Sequence, residues 1–359
     1  MRFVIFGLTV SSAWANGHAT PWRGLLKALH LQGHQSTFFE RDVDYYAAHR
    51  DLARPEFCEL VLYGEWPPQQ ARQALANADV AIVTSYCPDG LAACELILGT
   101  PRTLHVFYDL DTPVTLEALE SHGVAVPNGA RYLKPDLIPA FDLYLSFSGG
   151  PVLRELKQRW GARRTAALCG SVDPDVHRPV TQAADEFRCS LGYLGTYAAD
   201  RQPSLEQLLF EPARERPQDQ FLVVGSLYPP DLCWPPNVKR RAHLDPDEHP
   251  AFYSANRLTL SVTRQAMREW GYTPSGRLFE AASCGTPVVT DRFPGVEEFF
   301  APGEEIIVAD TSADVRGALE LTDAELRRIG AAARERALAQ HTGTSRAREL
   351  VSACEAAAC

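Results

Sequence analysis

No apolar run in these 359 residues approaches the roughly 20 residues that cross a bilayer, so a membrane-spanning role is not expected. Cysteine is present but unorganised. The nine residues include no CxxC pair and no metal-finger spacing, and an odd count without a framework points to free thiols in a reducing compartment. Cys94, Cys169 and Cys284 stand among apolar or small neighbours and read as packing residues. Positive charge is in deficit: 35 Lys and Arg against 45 Asp and Glu leave a net charge of −10, which argues against general nucleic-acid binding. Any phosphate site must then be a local basic pocket. Lys239-Arg240-Arg241 is one basic run and reads as a solvated face. There is no internal repeat and no low-complexity tract. The opening Met1-Arg2-Phe3-Val4-Ile5-Phe6-Gly7 is too short and wrongly flanked for a signal peptide. It reads as a first buried strand, and the expected location is cytoplasmic.

The length suits two domains of ordinary size, and an apolar content of 45% is that of a globular protein. The first half alternates strands and helices. Strands are expected over residues 2–7, 35–39, 80–84, 102–108, 143–147 and 166–168, with helices over 22–32, 68–77, 90–98 and 152–160 between them. Such βαβ alternation implies a parallel sheet covered on both faces. The pattern breaks at Asp173-Pro174-Asp175-Val176-His177-Arg178-Pro179 and the polar stretch 181–186, which reads as a linker. A second αβ series follows. The expected division is 1–180, then 188–340, then a C-terminal helix within 341–359 free to cross back to the first domain.

The densest signal is Thr273 to Phe300, TPSGRLFEAASCGTPVVTDRFPGVEEFF. Pro274-Ser275-Gly276 opens a helix, and Gly285-Thr286-Pro287 stops it and turns the chain into the strand Val288-Val289-Thr290. A helix N-terminus attracts phosphate through free N–H groups and the positive end of its dipole. Arg277 adds a guanidinium there, and Glu280 lies one turn further on the same face as Gly276 and Arg277, placed for the two hydroxyls of a ribose. A buried αβ connection with no ligand fits the same letters, and both readings stay open on the residues alone. Arg264 follows the expected strand ending at Val262-Thr263, and Arg201 follows the loop after strand 190–194; each is a candidate phosphate cation or a surface side chain.

In the first half, the loop Leu8 to Thr20, LTVSSAWANGHAT, is rich in small and polar residues that let backbone approach a ligand. His18 is its only titratable side chain and a candidate general base; capping the next helix or binding hydroxyls are the structural alternatives. Asp109-Leu110-Asp111 follows the strand 102–108, and either carboxylate could orient the imidazole. With two carboxylates and no histidine beside them, no metal is expected there. Asp111 also suits the N-cap of a helix beginning near Pro113.

Taken over nearly its whole length, the chain resembles the CgeB-like glycosyltransferases. The resemblance rests on NGHAT, ERDVDYYAAHRDL, YDLDTPVT, FDLYLSFSGG, GSVDPDVHRP, GYLGTYAADRQP and SGRLFEAASCGTPVVTD, in that order. It implies a GT-B fold: two doubly wound Rossmann-like α/β domains facing across a cleft, with donor on the second and acceptor on the first. It implies transfer of a sugar from a nucleotide diphosphate donor, a UDP-sugar by expectation, to an acceptor hydroxyl, with no metal and no cofactor beyond the donor. On the donor side it points to Thr196 and Arg201 after the first strand of the second domain, and to Arg264, Ser275, Gly276 and Arg277 for the diphosphate. Glu280 is implied for the ribose, and Arg241, His243 and Leu244 for the base. On the acceptor side it points to Asn16, Gly17 and His18 with Asp109 or Asp111. The sequence departs from the pattern at Thr273, where many retaining members carry a second glutamate, and Thr196 stands where a first cation is usual. Inversion through His18 and retention assisted by the leaving phosphate both remain open. So do an epimerase or hydrolase on the same scaffold and a silent nucleotide-sugar sensor. The oligomeric state is not legible.

Overall fold

Apolar runs such as Phe3–Phe6 and Val80–Val83 are buried along their length, as strands covered on both faces must be. The computed structural model describes residues 1–120, 132–181 and 185–358. Seven strands of its first sheet are β1 Arg2–Gly7, β2 Gln35–Arg41, β3 Glu59–Tyr63, β4 Val80–Thr84, β5 Leu104–Asp109, β6 Leu143–Ser146 and β7 Thr165–Ala167. They pair in parallel in the order β3-β2-β1-β4-β5-β6-β7. The strand order reverses between β1 and β4, and ligands of doubly wound sheets gather beyond the strand ends at that switch point. Trp22, on the helix Ala19–Leu31, packs edge-on against Phe38 and Tyr108 at 5.6 Å each and anchors the core on one face.

The second sheet holds β8 Leu191–Leu194, β9 Phe221–Val224, β10 Val238–Arg241, β11 Thr259–Ser261, β12 Val288–Asp291 and β13 Ile307–Ala309, parallel in the order β10-β9-β8-β11-β12-β13. Its reversal lies between β8 and β11. Apolar clusters cover both faces, one built around Phe252, Tyr253, Leu278 and Phe279, the other around Tyr193, Leu209, Phe210 and Val289.

Each sheet belongs to its own unit: Met1–Cys169 with Gly343–Cys359, and Gly170–Thr342. The last helix, Gly343–Ala358, sends Ala347, Leu350, Cys354 and Ala357 into the core of the first unit. Gly343 approaches Gly24 so closely that a Cβ there would lie 2.5 Å from the Gly24 carbonyl oxygen. Val172 bridges Thr342 in parallel, so the chain enters and leaves the second unit side by side. The stretch 181–186, expected to join the domains, therefore lies within the second unit, and its residues 182–184 fall outside the described residues.

Strands β3 and β10 were not expected from the sequence, and both are sheet edges. The basic run Lys239-Arg240-Arg241 is the body of β10, with Lys239 and Arg240 exposed as a solvated face; cationic side chains on an edge strand discourage pairing with another chain. Cys94, Cys169 and Cys284 are buried, and burial pushes the Cys284 thiol up to about 12, as packing residues require. Among the described residues, no helix is long and apolar enough to cross a membrane.

Candidate functional site

The helix Gly276–Ser283 starts directly after Ser275. Ser275 precedes it in extended conformation, and its side chain makes no capping bond, which leaves the first N–H groups to other partners. Arg277 lays its guanidinium over the Tyr193 ring at 5.4 Å and donates to the Val262 carbonyl at 3.5 Å. Arg201 donates to the Tyr193 hydroxyl at 3.4 Å, while its buried Nε–H has no partner. One tyrosine on β8 thus brings together two cations that lie 76 positions apart in the chain (277 minus 201), at the switch point of the sheet. Both charges bear on Tyr228, which donates to the Gly195 carbonyl at 3.1 Å and whose own ionisation is pushed up mainly by burial. Thr196, half-buried, follows at once in the same loop.

Arg264, the third candidate cation, is engaged by a carboxylate. Its Nε donates to Asp200 Oδ2 at 3.1 Å, so its charge is largely answered by the carboxylate preceding Arg201. The nucleobase candidates also change. Leu244 is 3% exposed and packs in the apolar core, so its side chain offers a base no surface, and the His243 ring is tied to Asp245 Oδ1 at 3.1 Å. Thr273, at the position of the absent glutamate, is buried and donates to the Gly271 carbonyl at 2.9 Å.

Glu280 is buried, and its two oxygens face different surroundings. Oε1 lies towards Gly276: a Cβ added to that glycine would sit 3.8 Å away. Oε2 accepts the Tyr253 hydroxyl at 3.0 Å and faces His177 Nε2 and His249 Nδ1, each at 3.9 Å. Burial works against the carboxylate, but the two imidazoles, the tyrosine hydroxyl and Arg277 outweigh it and hold Glu280 below the usual carboxyl range. Neither His177 nor His249 stands out in the sequence. His177 sits inside GSVDPDVHRP, and its one local signal is its place just before Arg178-Pro179.

In the first unit, the loop after β1 is held by a residue the sequence did not mark. Glu40, buried at the end of β2, accepts from Thr9 Oγ1 at 2.9 Å, the Val10 N–H at 2.7 Å, the Ser11 N–H at 3.0 Å and the Ser11 hydroxyl. The Asn16 side chain turns inward on its own loop. Its oxygen accepts the His18 and Ala19 N–H groups at 3.1 Å, and its amide donates to the Ser12 and Trp14 carbonyls at 3.0 Å. Asn16 therefore caps the following helix, the structural alternative offered above for His18. Gly17 is exposed, and a Cβ added there would meet nothing within 4 Å, so the loop is open at this point.

His18 packs edge-on against Tyr86 at 5.2 Å, and its buried Nδ1 has no hydrogen-bond partner. Burial lowers its affinity for a proton, and the charge of Asp111 opposes that. Asp109 plays a different part. It is fully buried, accepting Tyr144 Oη at 2.7 Å, Thr115 Oγ1 at 2.9 Å and the Asp111 N–H at 3.1 Å. The two carboxylates are thus distinct in their surroundings: the charge of Asp111 is felt at the imidazole, and Asp109 is a buried hub of the loop.

Burial raises Asp109 to about 6 despite those hydrogen bonds. An exposed aspartate titrates near about 4, so folding favours the protonated form. The stability linked to this proton is complete below about pH 4 and is lost as pH rises through about 6. Asp109→Asn keeps the shape and removes the ionisation. Relative to wild type, its stability should improve by about 2–3 kcal/mol between pH 4 and pH 7, because each tenfold change in proton affinity on folding is worth about 1.4 kcal/mol. Thermal melts of both proteins across that range check this; a constant difference would contradict it.

Residues 201–352 match the family model described as "Glycosyl transferase-like". No curated protein matches the chain at the sequence level. Solved structures match it over nearly its full length. Sucrose-phosphate synthase from Thermosynechococcus elongatus superposes with a TM-score of 0.73 at 15% identity, covering 98% of this chain and 97% of its own. Anabaena HepE in complex with UDP-glucose gives 0.71 at 12% identity, covering 99% and 100%. An alpha-glucosyltransferase in complex with UDP-glucose and DNA containing an abasic site gives 0.67 at 14% identity, covering 99% of each chain. The two parallel-sheet α/β units are therefore those of the GT-B fold.

Proposed function

We propose that the chain is a CgeB-like glycosyltransferase that moves a hexose from a UDP-sugar to an acceptor hydroxyl. The observation that carries this is the convergence of Arg201 and Arg277 on Tyr193, beside the open start of the Gly276–Ser283 helix and Glu280 Oε1. The second unit holds the donor. Arg201, Arg277 and the N–H groups after Ser275 receive the diphosphate, and Glu280 Oε1 accepts from the ribose hydroxyls. Thr196 lies beside the phosphates, and Arg264 braces the Arg201 loop through Asp200. The nucleobase meets backbone near 243–244. UDP-glucose and UDP in the solved structures of similar fold support a uridine donor.

The acceptor belongs to the first unit, at the open Gly17 and the His18 ring. As the C–O bond between the anomeric carbon and the β-phosphate breaks, charge grows on the diphosphate. The fixed guanidiniums and helix dipole stabilise it there without a metal at the phosphates. His18 takes the acceptor proton as the new glycosidic C–O bond forms, with Asp111 stabilising the imidazolium. The net charge of −10 favours a small hydroxyl compound over nucleic acid as acceptor.

UDP release from a panel of UDP-sugars, with and without acceptors, tests the activity. For the donor grip, Arg277→Ala should weaken UDP binding by about 10- to 100-fold, the range of a lost charge-assisted hydrogen bond, with little change in melting temperature. Calorimetry showing unaltered affinity in both Arg277→Ala and Glu280→Ala would remove the donor assignment.

A further inference from the structure

We propose that His177, His249 and Glu280 bind a transition-metal ion, Zn²⁺ first among the common ones, on the side of Glu280 away from the ribose. The three side chains come from separate elements: His177 from the segment entering the second unit, His249 from the first turn of the helix His249–Ala255, and Glu280 from the Gly276–Ser283 helix. Their ligand atoms lie within 4.8 Å of one another, with each imidazole nitrogen 3.9 Å from Glu280 Oε2.

That spacing is too long for hydrogen bonds. Both ring nitrogens of His177, a residue 1% exposed, and Nδ1 of His249 are buried without a hydrogen-bond partner. Polar atoms gathered around one point and left unsatisfied cost desolvation energy that an ion would recover. Around zinc, bonds of about 2.0–2.2 Å separate tetrahedral ligand atoms by about 3.4 Å. Closing the 3.9 Å spacings to that value needs shifts of about half an ångström, and the two imidazole nitrogens, within 4.8 Å of one another, must approach by up to about 1.4 Å.

The donor set selects the metal. Two imidazoles and one carboxylate suit Zn²⁺ and leave one position for water, whereas Mg²⁺ and Ca²⁺ prefer oxygen alone. The Tyr253 hydroxyl, donating to Oε2, orients the carboxylate ligand from behind. The side chains of His249 and Glu280 are 15% and 11% exposed, which gives the ion a way in. The ion would fix the carboxylate that meets the ribose, so the inference shares Glu280 with the donor reading but does not depend on it.

The test uses the full chain, freed of any histidine tag and stripped with a chelator. Zn²⁺ titration by calorimetry and by competition with a chromophoric chelator should give one site per chain, tighter than micromolar. Co²⁺ should give the intense visible bands of a four-coordinate site, and Zn²⁺ should raise the melting temperature of the stripped protein. His249→Ala should weaken Zn²⁺ binding by at least the roughly 10- to 100-fold that loss of a mere outer-shell partner costs, and His177→Gln serves equally if a smaller side chain at that buried position disturbs folding. Absent stoichiometric binding, or binding unchanged in both variants, overturns the site. UDP affinity of the stripped and of the zinc-loaded wild type separates the two ideas: UDP binding without zinc binding leaves the donor reading standing and removes the metal. Failed UDP binding in both forms with stoichiometric zinc does the reverse.

Discussion

Replacing His18 by alanine is expected to lower turnover by about 10²- to 10⁴-fold, the range of a lost general base, with the affinity for UDP unaltered. The separation follows from the fold: His18 sits on the loop after β1 of one unit, and the arginines proposed for the phosphates belong to the other. The ring is suited to accept a proton because burial keeps it neutral below the ordinary histidine range. In kcat/KM against pH, the acidic limb should therefore fall below the unperturbed value of about 6.5. Asp111→Asn removes the charge that opposes the lowering, so that limb should move further towards acid. His18→Gln distinguishes chemistry from binding. Glutamine can hold a hydroxyl but cannot take its proton. Near-wild-type turnover in this variant would make His18 a binding residue, and a product with retained anomeric configuration would point the same way.

Local signals explain which parts of this arrangement were legible. The Gly276–Ser283 helix shows itself through Pro274, Ser275 and Gly276 at one end and Gly285-Thr286-Pro287 at the other, all close together in the chain. The parallel sheets show themselves through continuous apolar runs. The edge strand β10 does not, because three of its four residues are cationic; β3 is a short run, Leu60 to Tyr63, behind Glu59 and without an adjoining helix signal. Pairings set by tertiary structure were invisible for the same reason: nothing near Arg264 in the chain marks its partner Asp200, 64 positions away. Glu40 likewise looked like the polar end of a strand, although it organises the loop after β1 from 29 to 31 positions away. His177 and His249 each read alone as an ordinary polar residue, and Glu280 as a ribose ligand only; the folded second unit alone brings the three to one point.

Glu280→Ala should carry two losses that glutamine separates. With the carboxylate gone, UDP loses its ribose contact, and affinity should fall by about 10- to 100-fold, as for charge-assisted hydrogen bonds of about 1.5–3 kcal/mol. The fully buried Tyr253 hydroxyl also loses its acceptor, a cost of about 1–3 kcal/mol, or several degrees of melting temperature for a unit of this size. Glu280→Gln keeps an oxygen for Tyr253 and much of the shape, so it should recover most of the stability and little of the affinity. The pH dependence gives an independent check. Glu280 is held below its usual range in the folded protein: burial pulls the other way, and His177 and His249 lead the groups that overcome it. Its contribution to stability is then present above the unfolded carboxyl value of about 4.3 and is lost as pH falls through the lower folded value. Chelator-stripped wild type and Glu280→Gln should accordingly converge in stability as the medium is acidified below about pH 4. Parallel curves would mean that the carboxylate is not held in its charged form by the two imidazoles. Equal UDP affinity in wild type and Glu280→Gln would show that Oε1, although directed towards Gly276, does not meet the ribose.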